Sequence, residues 1–125
     1  MKVVATKNAP AALGPYSQGY VHGGIFYSAG QLGLDPVSGE LAEGIEGQAD
    51  QACKNVGAVL EEAGTSFDKV LKTTCFLADM GDFPVFNGIY EKYFVSCPAR
   101  SCVAVKELPK GVLCEVEAIA YLKED

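Results

Sequence analysis

Pro98-Ala99-Arg100-Ser101-Cys102-Val103-Ala104-Val105 and, after Lys106–Val112, Leu113-Cys114-Glu115-Val116-Glu117-Ala118-Ile119-Ala120 are the stretches whose pairing decides how the sheet closes. Both are short, apolar or small, and period-two in character, so each reads as a strand. Alternation puts Arg100, Cys102 and Ala104 on one face of the first. On the second, Leu113, Glu115, Glu117 and Ile119 share a face, while Cys114, Val116, Ala118 and Ala120 share the other. Pro109 and Gly111 give the link the character of a turn. A hairpin centred near Pro109 sets Cys102 beside Glu115 and Arg100 beside Glu117. A cation that can grip a carboxylate in two places then lies close to a candidate general base.

The 125 residues fit one domain, 1–125, and 49% of them are hydrophobic, enough for a single core. The net charge is −6 and the ten Lys and Arg are dispersed, which argues against a nucleic-acid partner. No apolar run approaches the roughly 20 residues of a bilayer span, and the N-terminus lacks the apolar core of a secretion signal, so no membrane role is expected. The five cysteines are an odd number without a CxxC pair. Free thiols in a reducing, cytoplasmic location follow. The one histidine, His22, sits beside Gly23-Gly24 and reads as a loop residue. A single histidine builds neither a Ser/His triad nor a histidine-based metal site, and thiolate zinc sites want close cysteine pairs. No metal is expected.

Tyr16–His22 and Ile25–Gln31 flank Gly23-Gly24 as a β-hairpin. A loop with Asp35-Pro36 and Ser38-Gly39 follows. From about Ile45, Ala49, Ala52, Cys53, Val56, Leu60 and Ala63 fall on one helical face, and Gly64 stands where a C-cap glycine belongs. Val70–Leu77 reads as an apolar strand. Asp82 is the expected N-cap of a second helix with Pro84 in its first turn, and Phe86, Ile89, Tyr90, Tyr93 and Phe94 form its buried stripe. The order is β-β-α-β-α-β-β, with room for an extra strand at Lys2–Thr6. Two helices on one face of a mixed sheet make an α+β sandwich. The opposite face is apolar yet charged, which suits an oligomer better than a monomer.

Gly14-Pro15-Tyr16-Ser17-Gln18, Ser28-Ala29-Gly30-Gln31, Lys72–Met80, Asp82-Phe83, Asn87 and Tyr90, Pro98–Cys102, Leu108-Pro109-Lys110-Gly111 and Glu115–Ala120 together resemble the successive blocks of the RidA family of reactive intermediate deaminases. The match runs nearly end to end, in order and at family-like spacing. The resemblance implies a chorismate-mutase-like α+β fold, a homotrimer, and ligand sites in clefts between subunits. It also implies hydrolysis of 2-iminobutanoate and 2-iminopropanoate, released by PLP-dependent dehydratases, to 2-oxoacids and ammonia. The Arg and Glu of the archetypal subgroup fall on Arg100 and Glu115. Tyr93–Pro98 is shorter than the loop many members carry before Pro-Ala-Arg-Ser, and Cys97 and Gly19 are atypical. A short loop beside the cleft bears on substrate size and leaves the Arg–Glu pair untouched.

Arg100 suits a substrate carboxylate because its planar fork donates two parallel hydrogen bonds and stays charged. The plainer alternative is a structural ion pair with Glu115 or Glu117. Glu115 would handle the attacking water and return a proton to the leaving nitrogen, help typically worth about 10²–10⁴-fold. Read from the residues, it is also an ordinary strand carboxylate, and Glu117 competes on spacing; the family pattern favours Glu115. Cys102 lacks a histidine to make its thiolate and reads as small filler lining the cleft. Tyr16 stacks on the ligand or donates to it, or simply packs. Ser28, Gly30 and Asn87 are expected to line the pocket, Gly30 by letting backbone approach closely; Gly14 reads as turn geometry. No cofactor is needed, because a protonated C=N carbon is already electrophilic. The rival readings are a non-catalytic sensor of 2-oxoacids and, weakest on charge, an RNA-directed role.

Overall fold

The computed structural model describes residues 2–122. Strands β1 (Lys2–Val4), β2 (Gly19–His22), β3 (Ile25–Ser28), β4 (Gln31–Leu32), β5 (Val70–Leu77), β6 (Ala99–Ala104) and β7 (Cys114–Tyr121) form one sheet. Helices α1 (Gly44–Ala63) and α2 (Phe83–Tyr93) pack together over one of its faces. This is the expected α+β sandwich, with the extra strand near the N-terminus and a two-residue strand after the first hairpin. The β2–β3 turn uses Gly23 and Gly24 at φ 60° and 78°, left-handed values that glycine adopts without strain. Gly19 is required by packing, since a Cβ there would stand 2.4 Å from the Phe26 ring.

The strand order is β1-β2-β3-β7-β5-β6, with β4 continuing the line of β3 along β7. The expected Arg100–Glu117 hairpin is therefore absent: β6 pairs in parallel with β5, and β5 separates it from β7. Two forces explain the difference. The apolar run Val70–Leu77 needs a neighbour on each side, and β5-α2-β6 forms the crossover that parallel strands require. Residues 105–113 step over the end of β5 rather than turning back. Val105 N donates to Leu77 O at 2.9 Å and Ala78 N donates to Leu113 O at 3.0 Å. The span is two strand spacings, about 10 Å.

Between sheet and helices lie Phe26, Val56, Leu60, Leu77, Phe86, Phe94 and Val116, all fully buried. Each such large side chain contributes about 1.5–3 kcal/mol on burial. Helix α1 ends at Gly64, φ 90°, where the Gly64 and Thr65 amides return to Glu61 O and Leu60 O. The start of α2 departs from expectation. Asp82 adopts helical torsions and makes no side-chain cap; Asp79 instead accepts from Gly81 N at 2.7 Å, capping the 3-10 turn Met80–Asp82 that leads into the helix. A buried bond of 2.7 Å between the Thr73 and Tyr90 hydroxyls ties α2 to β5. The short 94–98 link closes with Cys97 at φ 52° and its amide on Phe94 O.

Candidate active site

Register fixes which face each candidate occupies. Arg100 pairs with Thr73, and Thr73 with Ala118; Cys102 pairs with Cys75, and Cys75 with Val116. Arg100 and Cys102 thus stand on the helix-covered side, at the edge of the sheet. Glu115 pairs with Phe76 and Leu32, and Glu117 with Thr74, on the bare side. Within one chain the expected neighbours are on opposite faces.

Around Arg100 the surroundings come from α2. Nη1 donates to Asn87 Oδ1 at 2.8 Å. The guanidinium lies over Tyr90, 4.8 Å from the ring centroid, and 5.4 Å from that of Phe83. Phe83, Asn87 and Tyr90 are spaced i, i+4, i+7, one stripe of the helix. That spacing was visible in the sequence; only the strand it faces was not. Among the described residues the ion pair found is Lys54–Asp50, at 3.2 Å. Among the described residues Arg100 has no carboxylate partner, and the structural ion pair with Glu115 or Glu117 is ruled out within the chain. The half-buried Cys102 thiol is pushed up by burial, against the pull of Arg100, and its neighbour Cys75 is pushed up to about 12. Neither is a thiolate nucleophile at neutral pH.

The bare-face group is built round Glu115. Gly30 lies against its carboxyl so closely that a Cβ would stand 1.8 Å from Oε2. Gly30 is glycine for that reason. Tyr16 follows a tight turn in which its amide donates to Gly14 O at 2.8 Å. Tyr16, Gly30 and Glu115 line one cavity of about 670 Å³, together with Gln18 and Lys110. Lys110, at φ 59°, is brought there by the turn after β6. The Glu115 carboxyl is raised above its usual range, first by burial and second by the charge of Glu117. The raised carboxyl, once ionised, is a stronger proton acceptor than an ordinary carboxylate. Ser28 is elsewhere: its hydroxyl accepts from Ala118 N at 2.9 Å, and it lines a smaller cleft of about 140 Å³ with Lys72, Thr74 and Glu117. Lys110 and the buried Gln18 carried no sequence signal beyond their place in motifs.

Among the described residues no three His, Cys, Asp or Glu side chains converge to hold a metal ion, and no helix is long and apolar enough to cross a membrane.

Fold and site define a class of small α+β domain. It carries on an edge strand an arginine with no carboxylate partner among the described residues, and a half-buried carboxyl on the uncovered sheet face. The sequence profile of the Endoribonuclease L-PSP family matches residues 6–122, and the chain belongs to that family, the RidA family of the sequence motifs. It is 51% identical over 98% of its length to AldR of Lactococcus lactis, named as a candidate regulator, and covers 99% of that protein. It is 50% identical over 95% of its length to the 2-iminobutanoate/2-iminopropanoate deaminase of Mus musculus, covering 90% of it. The structure of Escherichia coli TdcF with bound serine superposes with a TM-score of 0.93 at 38% identity, covering 97% of this chain and 98% of TdcF.

Proposed function

We propose that the protein hydrolyses small 2-imino acids, 2-iminobutanoate and 2-iminopropanoate, to 2-oxoacids and ammonia, at sites shared between copies of a homotrimer. The observation that carries this reading is the Arg100 guanidinium, held by Asn87 and two aromatic rings yet free of any carboxylate among the described residues. A permanent cation so held and so unpaired is suited to a ligand's carboxylate. Opposite faces of one sheet cannot close on a four-carbon acid, so Arg100 of one copy and Glu115 of another would form each site. Deaminase-named relatives support the reaction.

In the proposed reaction Arg100 grips the carboxylate and fixes the C=N carbon beside Glu115. The Glu115 carboxylate takes a proton from water as its oxygen bonds to that carbon, and passes the proton to nitrogen. Glu115 then takes the hydroxyl proton of the tetrahedral intermediate and gives it to the amino group, so that ammonia leaves as C=O forms. Tyr16 and Gly30 would shape the cavity, Ser28, Asn87 and Cys102 its periphery. No cofactor enters any step.

The test is a coupled assay in which threonine dehydratase generates the imine and semicarbazide traps what remains. Reduced trapping is expected; undiminished trapping refutes the reaction. A second reading, a sensor of small carboxylates, is favoured by the relative named as a candidate regulator. It predicts tight 2-oxobutanoate binding with no turnover.

A further inference from the structure

Residues 5–18 contain neither helix nor strand, yet they carry Tyr16. Such a segment must be ordered by other means, because each residue fixed costs about 1–2 kcal/mol of backbone entropy. Tyr16 does not order itself. It is exposed, and among the described residues its hydroxyl makes no hydrogen bond within the chain. Ala9 anchors the segment in the core, and one buried polar side chain ties its backbone together. Gln18 Oε1 accepts from Thr6 N at 2.6 Å, and Nε2 donates to Thr6 O at 3.0 Å, Ala9 O at 3.3 Å and Pro10 O at 2.7 Å. Both ends of the amide are thereby used. The Gln18 carbonyl accepts from Ala29 N at 2.9 Å, one residue before the Gly30 that touches Glu115. One residue joins the start of the loop to the backbone that bears on the carboxyl.

The geometry points to Gln18 as the positioning residue that holds the Tyr16 loop against the Glu115 cavity. The inference rests on the imine-hydrolysis reading for the identity of the ligand and goes beyond it in assigning Gln18. The amide acts through Tyr16: it closes the loop at its neck, and the ring is set over the cavity as a result. Gln18→Glu keeps the shape and the acceptor for Thr6 N, but loses both donors and sets a carboxylate against three carbonyl oxygens.

A double-mutant cycle on the full chain, with imine from the coupled assay, separates placement from general stability. Gln18→Glu is expected to lower kcat/KM about tenfold and to speed amide hydrogen exchange at residues 11–16. In a Tyr16→Ala background the same change should cost less than about twofold, since the group being placed is gone. Equal losses in both backgrounds overturn the proposal, as does a wild-type rate in Gln18→Glu with faster exchange. If Gln18→Glu does not fold, Thr6→Pro removes the N–H that Oε1 accepts, leaves the buried amide in place, and is judged by the same criteria. If the wild type binds 2-oxobutanoate but does not hydrolyse the imine, the proposed reaction fails and the cycle is read on affinity by calorimetry. Loss of both ends both proposals.

Discussion

Arg100 and Glu115 stand on opposite faces of one sheet, with β5 between their strands. Among the described residues the guanidinium has no carboxylate partner, and the carboxyl is raised by burial; in the proposed reaction the two are complementary halves of a site. In a single chain they are turned away from each other.

Mixing two defective chains tests that division. Arg100→Ala and Glu115→Ala homomers should each be inactive. Co-assembled in equal amounts, they should regain about a quarter of wild-type activity, because that fraction of shared sites draws both intact groups. A site built within one chain would regain nothing. Co-expression with two affinity tags, followed by the semicarbazide assay, reads the outcome.

Arg100→Lys keeps the charge but loses the two-pronged donor and the flat surface that lies on Tyr90 and Phe83. The expected result is a rise in KM of about 10–100-fold with a smaller change in kcat. Steady-state kinetics on imines of increasing size would show it. An unchanged KM would remove Arg100 from carboxylate recognition.

The raised Glu115 carboxyl carries a pH signature. As a base it must be ionised, so the rate falls as pH drops through its pKa. Glu117→Gln removes the second cause of the shift, lowers that pKa and moves the acid limb of kcat/KM to lower pH. Stability follows the same proton. The folded state holds it more tightly than the unfolded chain, so Glu115's contribution falls as pH rises from the ordinary carboxylate range through the raised value. Paired pH–rate profiles decide the matter, and superimposable acid limbs would sink it.

Gly30→Ala should leave the fold intact and damage catalysis. The added methyl would stand 1.8 Å from Glu115 Oε2 and 2.7 Å from Cδ, so the carboxyl must swing away. Displacing a catalytic group by about 1 Å costs on the order of 10²-fold in rate. The expected signature is a fall in kcat with native circular dichroism; retained kcat would show that Glu115 needs no such placement.

Much of the architecture was legible because it is local. Gly23-Gly24 between two apolar runs specified the first hairpin, the Ala49–Ala63 spacing and Gly64 specified α1, and Val70–Leu77 specified β5. The stripe on α2 was legible too, and Asp82 does stand at its N-cap position, though its side chain makes no cap bond; the capping carboxylate in this stretch is Asp79, on the 3-10 turn before the helix. The strand pairing around Arg100 was not legible. Nothing in 98–120 states that a strand from earlier in the chain will come between its two arms.

The sequence by itself determined the elements, their buried stripes, the family and the kinds of group proposed for the site. The tertiary structure alone decided where those groups face. A direct hairpin would set Cys102 opposite Glu115. With β5 between, Cys102 matches Cys75 and Cys75 matches Val116, a shift of one residue. Side chains alternate along a strand with period two, so a shift of one reverses the face. Local periodicity fixes the alternation, and only the burial of β5 between two partners fixes its phase.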